Sequence, residues 1–190
     1  MTTTTDSSGN ATAGAAPAAL EGDHWIESLR DGTRVLVRPL RLEDRAMEEA
    51  LIRRLSPEAR RFRFLGDFKV PDKAMLDHLM HVDYVHDMAF AAFAHDDGEL
   101  REVGISRYST TGDDRQCECA VTVADDWRHR GLAVLLMQHL IDVARKQKLA
   151  RMFSIDDVGN EPMRELAHYL GFTCEPYPED PKTVVYSLAL

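Results

Sequence analysis

Arg128-His129-Arg130-Gly131-Leu132-Ala133 decides how this chain is read. The stretch before it, Gln116-Cys117-Glu118-Cys119-Ala120-Val121-Thr122-Val123, has the composition of a strand. After it, Leu132, Leu135, Leu136, Leu140 and Val143 recur at helical spacing, so residues 131–148 are expected to form one amphipathic helix. The hexapeptide is therefore a strand-to-helix turn. The first N–H groups of a helix lack partners within it and carry the positive end of its dipole. A pyrophosphate accepts several of them at once. Gly131 offers no side chain to keep such an anion away, and Ala133 is small. Arg128 and Arg130 add positive charge, and His129 flanks the same position.

Outward from this turn the chain alternates elements. Arg34-Val35-Leu36-Val37-Arg38 reads as a strand stopped by Pro39. Glu43-Asp44 opens a helix carrying Met47, Leu51 and Leu55. Ser56-Pro57-Glu58 starts a second helix, with a capping hydroxyl and then proline. Pro71-Asp72 starts a third, with Met75, Leu79 and Met80 facing inward. The unbroken apolar run Met88-Ala89-Phe90-Ala91-Ala92-Phe93-Ala94 predicts a central buried strand. Asp97-Gly98 and Thr111-Gly112-Asp113-Asp114 are turn sequences, so strands at 103–108 and 116–123 complete an antiparallel meander. A strand at 152–156, a helix at 161–170 closed by Gly171, and strands at 172–174 and 184–188 follow. This order predicts an α/β (α+β-like) fold, a mixed sheet covered by helices.

The totals fit one domain. The chain has 190 residues, 44% of them hydrophobic. Residues 1–22 are rich in Thr, Ser, Ala and Gly and are expected to be a disordered tail, leaving 23–190 as the domain. A net charge of −9 argues against nucleic acid as partner and suits a cationic substrate. Cys117, Cys119 and Cys174 do not form a disulfide framework and read as reduced thiols. No run spans a bilayer and no signal peptide opens the chain, so a cytoplasmic protein without membrane contact is expected, monomeric or homodimeric. His78, His81 and His86, with Asp77, Asp83 and Asp87, match no standard zinc spacing. They read as a polar helix end and turn, so no metal is expected.

The hexapeptide resembles the acyl-CoA signature of the GNAT superfamily of N-acetyltransferases, Arg/Gln-x-x-Gly-x-Gly/Ala. The resemblance runs from about Thr33 to Leu188. Val35-Leu36-Val37-Arg38-Pro39-Leu40 with Glu43-Asp44 resembles the family's first strand and helix. Val121-Thr122-Val123-Ala124-Asp125-Asp126-Trp127 resembles its approach to the signature, and Asn160, Met163, Leu166, Ala167, Gly171 and Phe172 its late helix. Leu55-Ser56-Pro57-Glu58, Arg61-Phe62-Arg63-Phe64 and Val82-Asp83-Tyr84 are most similar to the GNAT domains of bacterial protein lysine acetyltransferases. The resemblance implies a mostly antiparallel twisted sheet flanked by helices, acetyl-CoA as co-substrate and a primary amine as acceptor, a protein lysine foremost. A small amine such as a polyamine, amino acid or antibiotic is the alternative acceptor. A non-catalytic acyl-CoA-binding module is the alternative in kind.

Mapped residue by residue, the resemblance makes Glu118 the general base that takes the ammonium proton. An apolar setting is expected to raise its pKa. Backbone groups at Val121 and Val123 would bind the pantetheine arm, and one would polarise the thioester carbonyl. Asn160 would hydrogen-bond the pantetheine or cap the late helix. The tyrosine that many relatives use as acid is Ala167 here, while Tyr169 is expected on a different face. The acceptor pocket is assigned to the segment from about Arg54 to Asp87, where Glu58, Asp67, Asp72, Asp77 and Asp83 would attract a cation.

Overall fold

The apolar run at 88–94 becomes the middle of a strand buried on both faces, and the molecule is layered about it. The computed structural model describes residues 23–65, 71–112 and 115–190. The tail expected at 1–22, and Asp67, lie outside the described residues. In chain order the elements are β1 (Trp25–Ser28), β2 (Arg34–Pro39), α1 (Arg45–Arg54), α2 (Pro57–Phe64), α3 (Lys73–Met80), β3 (Asp87–Asp96), β4 (Glu99–Thr111) and β5 (Gln116–Val123). Then come α4 (Leu132–Lys146), β6 (Arg151–Asp157), α5 (Glu161–Leu170), β7 (Thr173–Pro176) and β8 (Thr183–Ala189). The described strands form one eight-stranded sheet in the order β1-β2-β3-β4-β5-β6-β8-β7. All neighbours are antiparallel except β5 and β6, which are parallel. The expected mixed, mostly antiparallel sheet with flanking helices is thus the observed architecture.

Strand alternation sorts the helices onto the two faces. Ser106 donates its hydroxyl to the Leu136 carbonyl at 3.0 Å, which places α4 on one face. The neighbouring residue, Arg107, points the other way, reaching Glu48 of α1 at 3.1 Å and the Leu79 carbonyl of α3 at 3.0 Å. The stripe of α4 is broader than its leucines suggest: Met137, Ile141 and Ala144 are buried with Leu132, Leu136 and Leu140, while Leu135 and Val143 are only partly covered.

Local chemistry sets the helix ends. The Ser56 hydroxyl accepts from Ala59 N–H at 3.2 Å, and the Asp72 carboxylate accepts from Met75 N–H at 2.8 Å. At the end of α5, Gly171 takes a left-handed φ of 84°, and Phe172 N–H donates to the Ala167 carbonyl at 2.9 Å.

Two expectations need correction. No strand was expected before Arg34, yet Trp25–Ser28 pairs with β2 as a hairpin. Only four residues long, and with Ile26 exposed, it carries little signal of its own and is defined by its partner. Residues 103–108 are only the buried middle of β4, whose polar ends pair from Glu99 to Thr111.

Candidate active site

β5 and β6 pair only at Gln116–Arg151, Cys117–Met152 and Glu118–Phe153. Beyond Glu118 the two strands part, and a cleft of about 460 Å³ opens between residues 119–123 and residues 154–156. The other edge of β5 stays paired with β4 as far as Val123. Ala124 N–H also donates to the Val103 carbonyl, at 2.9 Å. Amides alternate along a strand, so those of Val121 and Val123 turn towards the open fork. An open strand edge of this kind can take an extended amide-bearing chain as an added strand.

The turn at 128–133, the expected phosphate turn, borders the cleft. His129 and Gly131 both have left-handed backbones, with φ of 62° and 89°. Left-handed residues of this kind help gather successive N–H groups around a common anion site. Gly131 is the N-cap of α4 and brings no side-chain cap, leaving the first amides of the helix outward-facing. The Leu132 side chain is buried in the core, so this residue offers only its backbone to the cleft. Ala133 is half-buried at the same wall, and His129 is exposed.

The flanking cations carry ion pairs of their own. Arg128 pairs with Asp125 at 2.8 Å. Arg130 stacks over Trp127 at 4.7 Å and pairs with Asp31 at 3.4 Å. Both arginines are thus held by neighbouring carboxylates. Trp127 is buried as a packing anchor.

Glu118 sits at the apex of the fork and lines the cleft. Its expected apolar setting is absent, because its side chain is exposed. Cys117 and Cys119, which suggested that setting, point to the opposite, buried face of the strand. Burial pushes the Cys119 thiol well above its ordinary value, with Cys117 and Asp156 adding to the effect, and pushes Cys117 up to about 12.

Asp156 of β6 and Arg63 of α2, which were not anticipated, also line the cleft. Asp156 accepts from the Ser154 hydroxyl and from Asn160 Nδ2, the latter at 3.0 Å. Burial raises its carboxyl above the usual range, against those hydrogen bonds and the charge of Arg63. For Arg63, burial and then the like charge of Arg107 pull the guanidinium down to about 10. The carboxylates of Glu48, Asp156 and Glu118 oppose that shift. Asn160 lines the cleft but is already engaged: its Oδ1 caps α5 by accepting from Met163 N–H at 3.2 Å. One Nδ2 hydrogen is committed to Asp156, and the other is the hydrogen it can still give a ligand.

The profile of the Acetyltransferase (GNAT) family matches residues 45–172. The chain belongs to that family. It is 54% identical over 181 residues to Acetyltransferase PA5475 of Pseudomonas aeruginosa, covering 95% of this chain and 97% of the relative. Among solved structures, the GNAT domain of S. lividans PAT superposes with a TM-score of 0.82 at 23% identity, over 93% of this chain and 100% of that one. The Salmonella typhimurium protein yncA, solved with its cofactor acetyl-CoA, matches with a TM-score of 0.65 at 18% identity, over 82% and 94% of the two chains. GNAT acetyltransferases use acetyl-CoA as donor, a molecule that carries a pyrophosphate and an extended amide-bearing arm.

One reading changes within this GNAT frame, that of the acceptor pocket. Tyr169 lies on a different face of α5 from Ala167, as expected: Ala167 is buried in the core, while Tyr169 is 63% exposed and lines the cleft. Of the acids assigned to the acceptor pocket and described here, only Glu58 lines the cleft. Asp72 caps α3 and Asp77 pairs with Arg45 at 2.7 Å. Asp83 holds the following turn by accepting from the N–H groups of Val85, His86 and Asp87. These roles are local to α3 and the turn beyond it, and a spacing argument cannot tell a capping carboxylate from one that faces a ligand. No helix among the described residues is long and apolar enough to cross a membrane.

Proposed function

We propose that this protein transfers an acetyl group from acetyl-CoA to a primary amine, foremost the side chain of a protein lysine. One observation carries the reading: an exposed glutamate stands where the sheet forks, in the cleft bordered by the turn at 128–133. Acetyl-CoA would lay its pyrophosphate on the amides before α4 and its pantetheine arm along Val121 and Val123. That path brings the thioester to the fork. A lysine amine has an ordinary pKa of about 10.4 and arrives protonated. Glu118 takes that proton, the nitrogen attacks the acetyl carbon, and the C–S bond breaks as the C–N bond forms; the nitrogen gives up a second proton to solvent, which matches the one the departing thiolate takes.

Direct transfer is supported by the state of the thiols, since burial keeps Cys119 protonated and unfit as an acyl carrier. Ala167 leaves the tyrosine acid of many relatives without an equivalent. A thiol with a pKa of about 8.5 can leave as thiolate and take a proton from solvent. The preference for protein lysine rests on the similarity of residues 55–64 and 82–84 to bacterial protein lysine acetyltransferases.

The test is mass spectrometry of products after incubating the enzyme and acetyl-CoA with cell proteins and, separately, with polyamines, amino acids and aminoglycosides. Acetyl-lysine in proteins at rates above the small amines is the expected outcome. Efficient turnover of a small amine alone would reassign the acceptor. Acetyl-CoA binding with no acetylated product in either arm would leave a binding module.

A further inference from the structure

We propose that Arg30, on the loop joining β1 to β2, is the side chain that pairs with the pyrophosphate of the donor. This inference rests on the acetyl-CoA reading above. The two arginines inside the phosphate turn are already occupied: Arg128 by Asp125 at 2.8 Å, and Arg130 by Asp31 at 3.4 Å and by the Trp127 ring. A third arginine, 101 positions before Gly131, fills the place they leave. Arg30 lines the cleft together with Gly131 and Arg128. A Cβ placed on Gly131 would lie 3.4 Å from both Cγ and Nε of Arg30, so the arginine stem crosses directly over the N-terminus of α4. Arg30 is exposed and forms no ion pair among the described residues, so its guanidinium donors remain available to a ligand.

Its position is built rather than incidental. Arg30 N–H donates to the Arg130 carbonyl at 3.2 Å, fastening the hairpin loop to the turn. The loop is closed by Leu29 N–H to the Thr33 carbonyl at 2.8 Å and Thr33 N–H to Asp31 Oδ1 at 2.9 Å. Asp31 therefore shapes the loop and neutralises Arg130 at once. The result is a two-sided anion seat, with helix amides beneath and a guanidinium above. Guanidinium and phosphate oxygens match as a bidentate pair, which a single lysine charge would not reproduce. The family signature supplies the amides, and the N-terminal hairpin of this chain supplies the charge.

The experiment compares wild type, Arg30→Ala and Arg30→Lys by calorimetry with CoA and 3′-dephospho-CoA, and by turnover with acetyl-CoA and phosphate-free S-acetyl-pantetheine. Arg30→Ala is expected to weaken CoA and 3′-dephospho-CoA about tenfold alike, with Arg30→Lys between it and wild type. The preference for acetyl-CoA over S-acetyl-pantetheine, as a ratio of kcat/KM, should fall by a similar factor. Equal losses on both donors would overturn the proposal, because the effect would then lie outside the phosphates. A loss that vanishes with 3′-dephospho-CoA would move Arg30 to the 3′-phosphate and likewise overturn it. Unchanged CoA affinity in Arg30→Ala, with binding lost in Gly131→Val, would remove Arg30 and leave the donor reading standing. Failure of wild type itself to bind CoA would remove both.

Discussion

Glu118 owes its position to its neighbours and its chemistry to its exposure. It belongs to the last paired position before β5 and β6 part, so its backbone is held by both strands while its side chain is left in the cleft. Glu118→Gln removes a proton acceptor without changing shape. CoA affinity should remain at the wild-type level while kcat falls on the order of 10²–10⁴-fold. Raising the pH towards the acceptor's own pKa of about 10.4 supplies neutral amine without a base, so part of the loss should be recovered there. A kcat–pH profile of the variant that parallels wild type would take Glu118 out of the proton path. The Ser56 cap was legible in the sequence at this scale, because it is made within three residues. Arg30 and Asp156 were not. Each meets the site through contacts made by folding, and an isolated arginine before a strand looks like any solvated charge.

Among the elements, α2 is tied at its start to the segment that leads into the turn before α4. Ser56 opens this helix, and its N–H and hydroxyl also donate to the Asp125 carboxylate at 2.8 and 3.0 Å. Asp125 in turn holds Arg128 of the phosphate turn. Ser56→Ala therefore removes a helix cap and a tether together. Caps of this kind contribute about 1 kcal/mol, and a lost hydrogen bond to a charged group adds a comparable amount. Thermal unfolding should fall by roughly 4–8 °C in a chain of this size. Ser56→Thr, which keeps the hydroxyl, should stay close to wild type. The proline and hydroxyl made the start of α2 readable from the sequence, whereas the tether to Asp125 spans 69 positions and leaves no local mark. The same limit explains β1, a short strand recognisable only through β2.

For the molecule as a whole, the least economical feature is a knot of carboxyls beneath α1. Asp44, Glu48 and Glu102 are all buried. Asp44 is paired with Arg38 at 2.6 Å and Glu48 with Arg107 at 3.1 Å, whereas Glu102 is paired with no cation among the described residues and faces the Glu48 carboxylate. Burial first, and then the nearby charge of Glu48, raise the Glu102 carboxyl well above the carboxylate range. The folded protein therefore keeps a proton at Glu102 that the unfolded chain releases near pH 4.3. Stability from this site is fully present below that value and is lost as pH rises towards the folded pKa, at no more than about 1.4 kcal/mol per pH unit. Glu102→Gln should match wild type in urea unfolding near pH 4 and be the more stable protein at pH 7–8. A stability difference that does not grow with pH would show that Glu102 is ionised in the fold. Sequence patterning places Val103 to Tyr108 in the core but has no means of pairing Glu102 with Glu48, 54 positions earlier.

The strand order also sets a timetable for synthesis. The parallel pairing of β6 with β5 spans three residues, whereas its pairing with β8 spans seven. While the ribosome is still making the chain, β1 to β5 and α4 can assemble from contacts already translated. The far arm of the fork has no long partner until residues 183–189 emerge. The nascent protein thus leaves Gln116 to Glu118 of β5 without a securely held neighbour while its last quarter is made, an interval in which a strand from another chain can pair there.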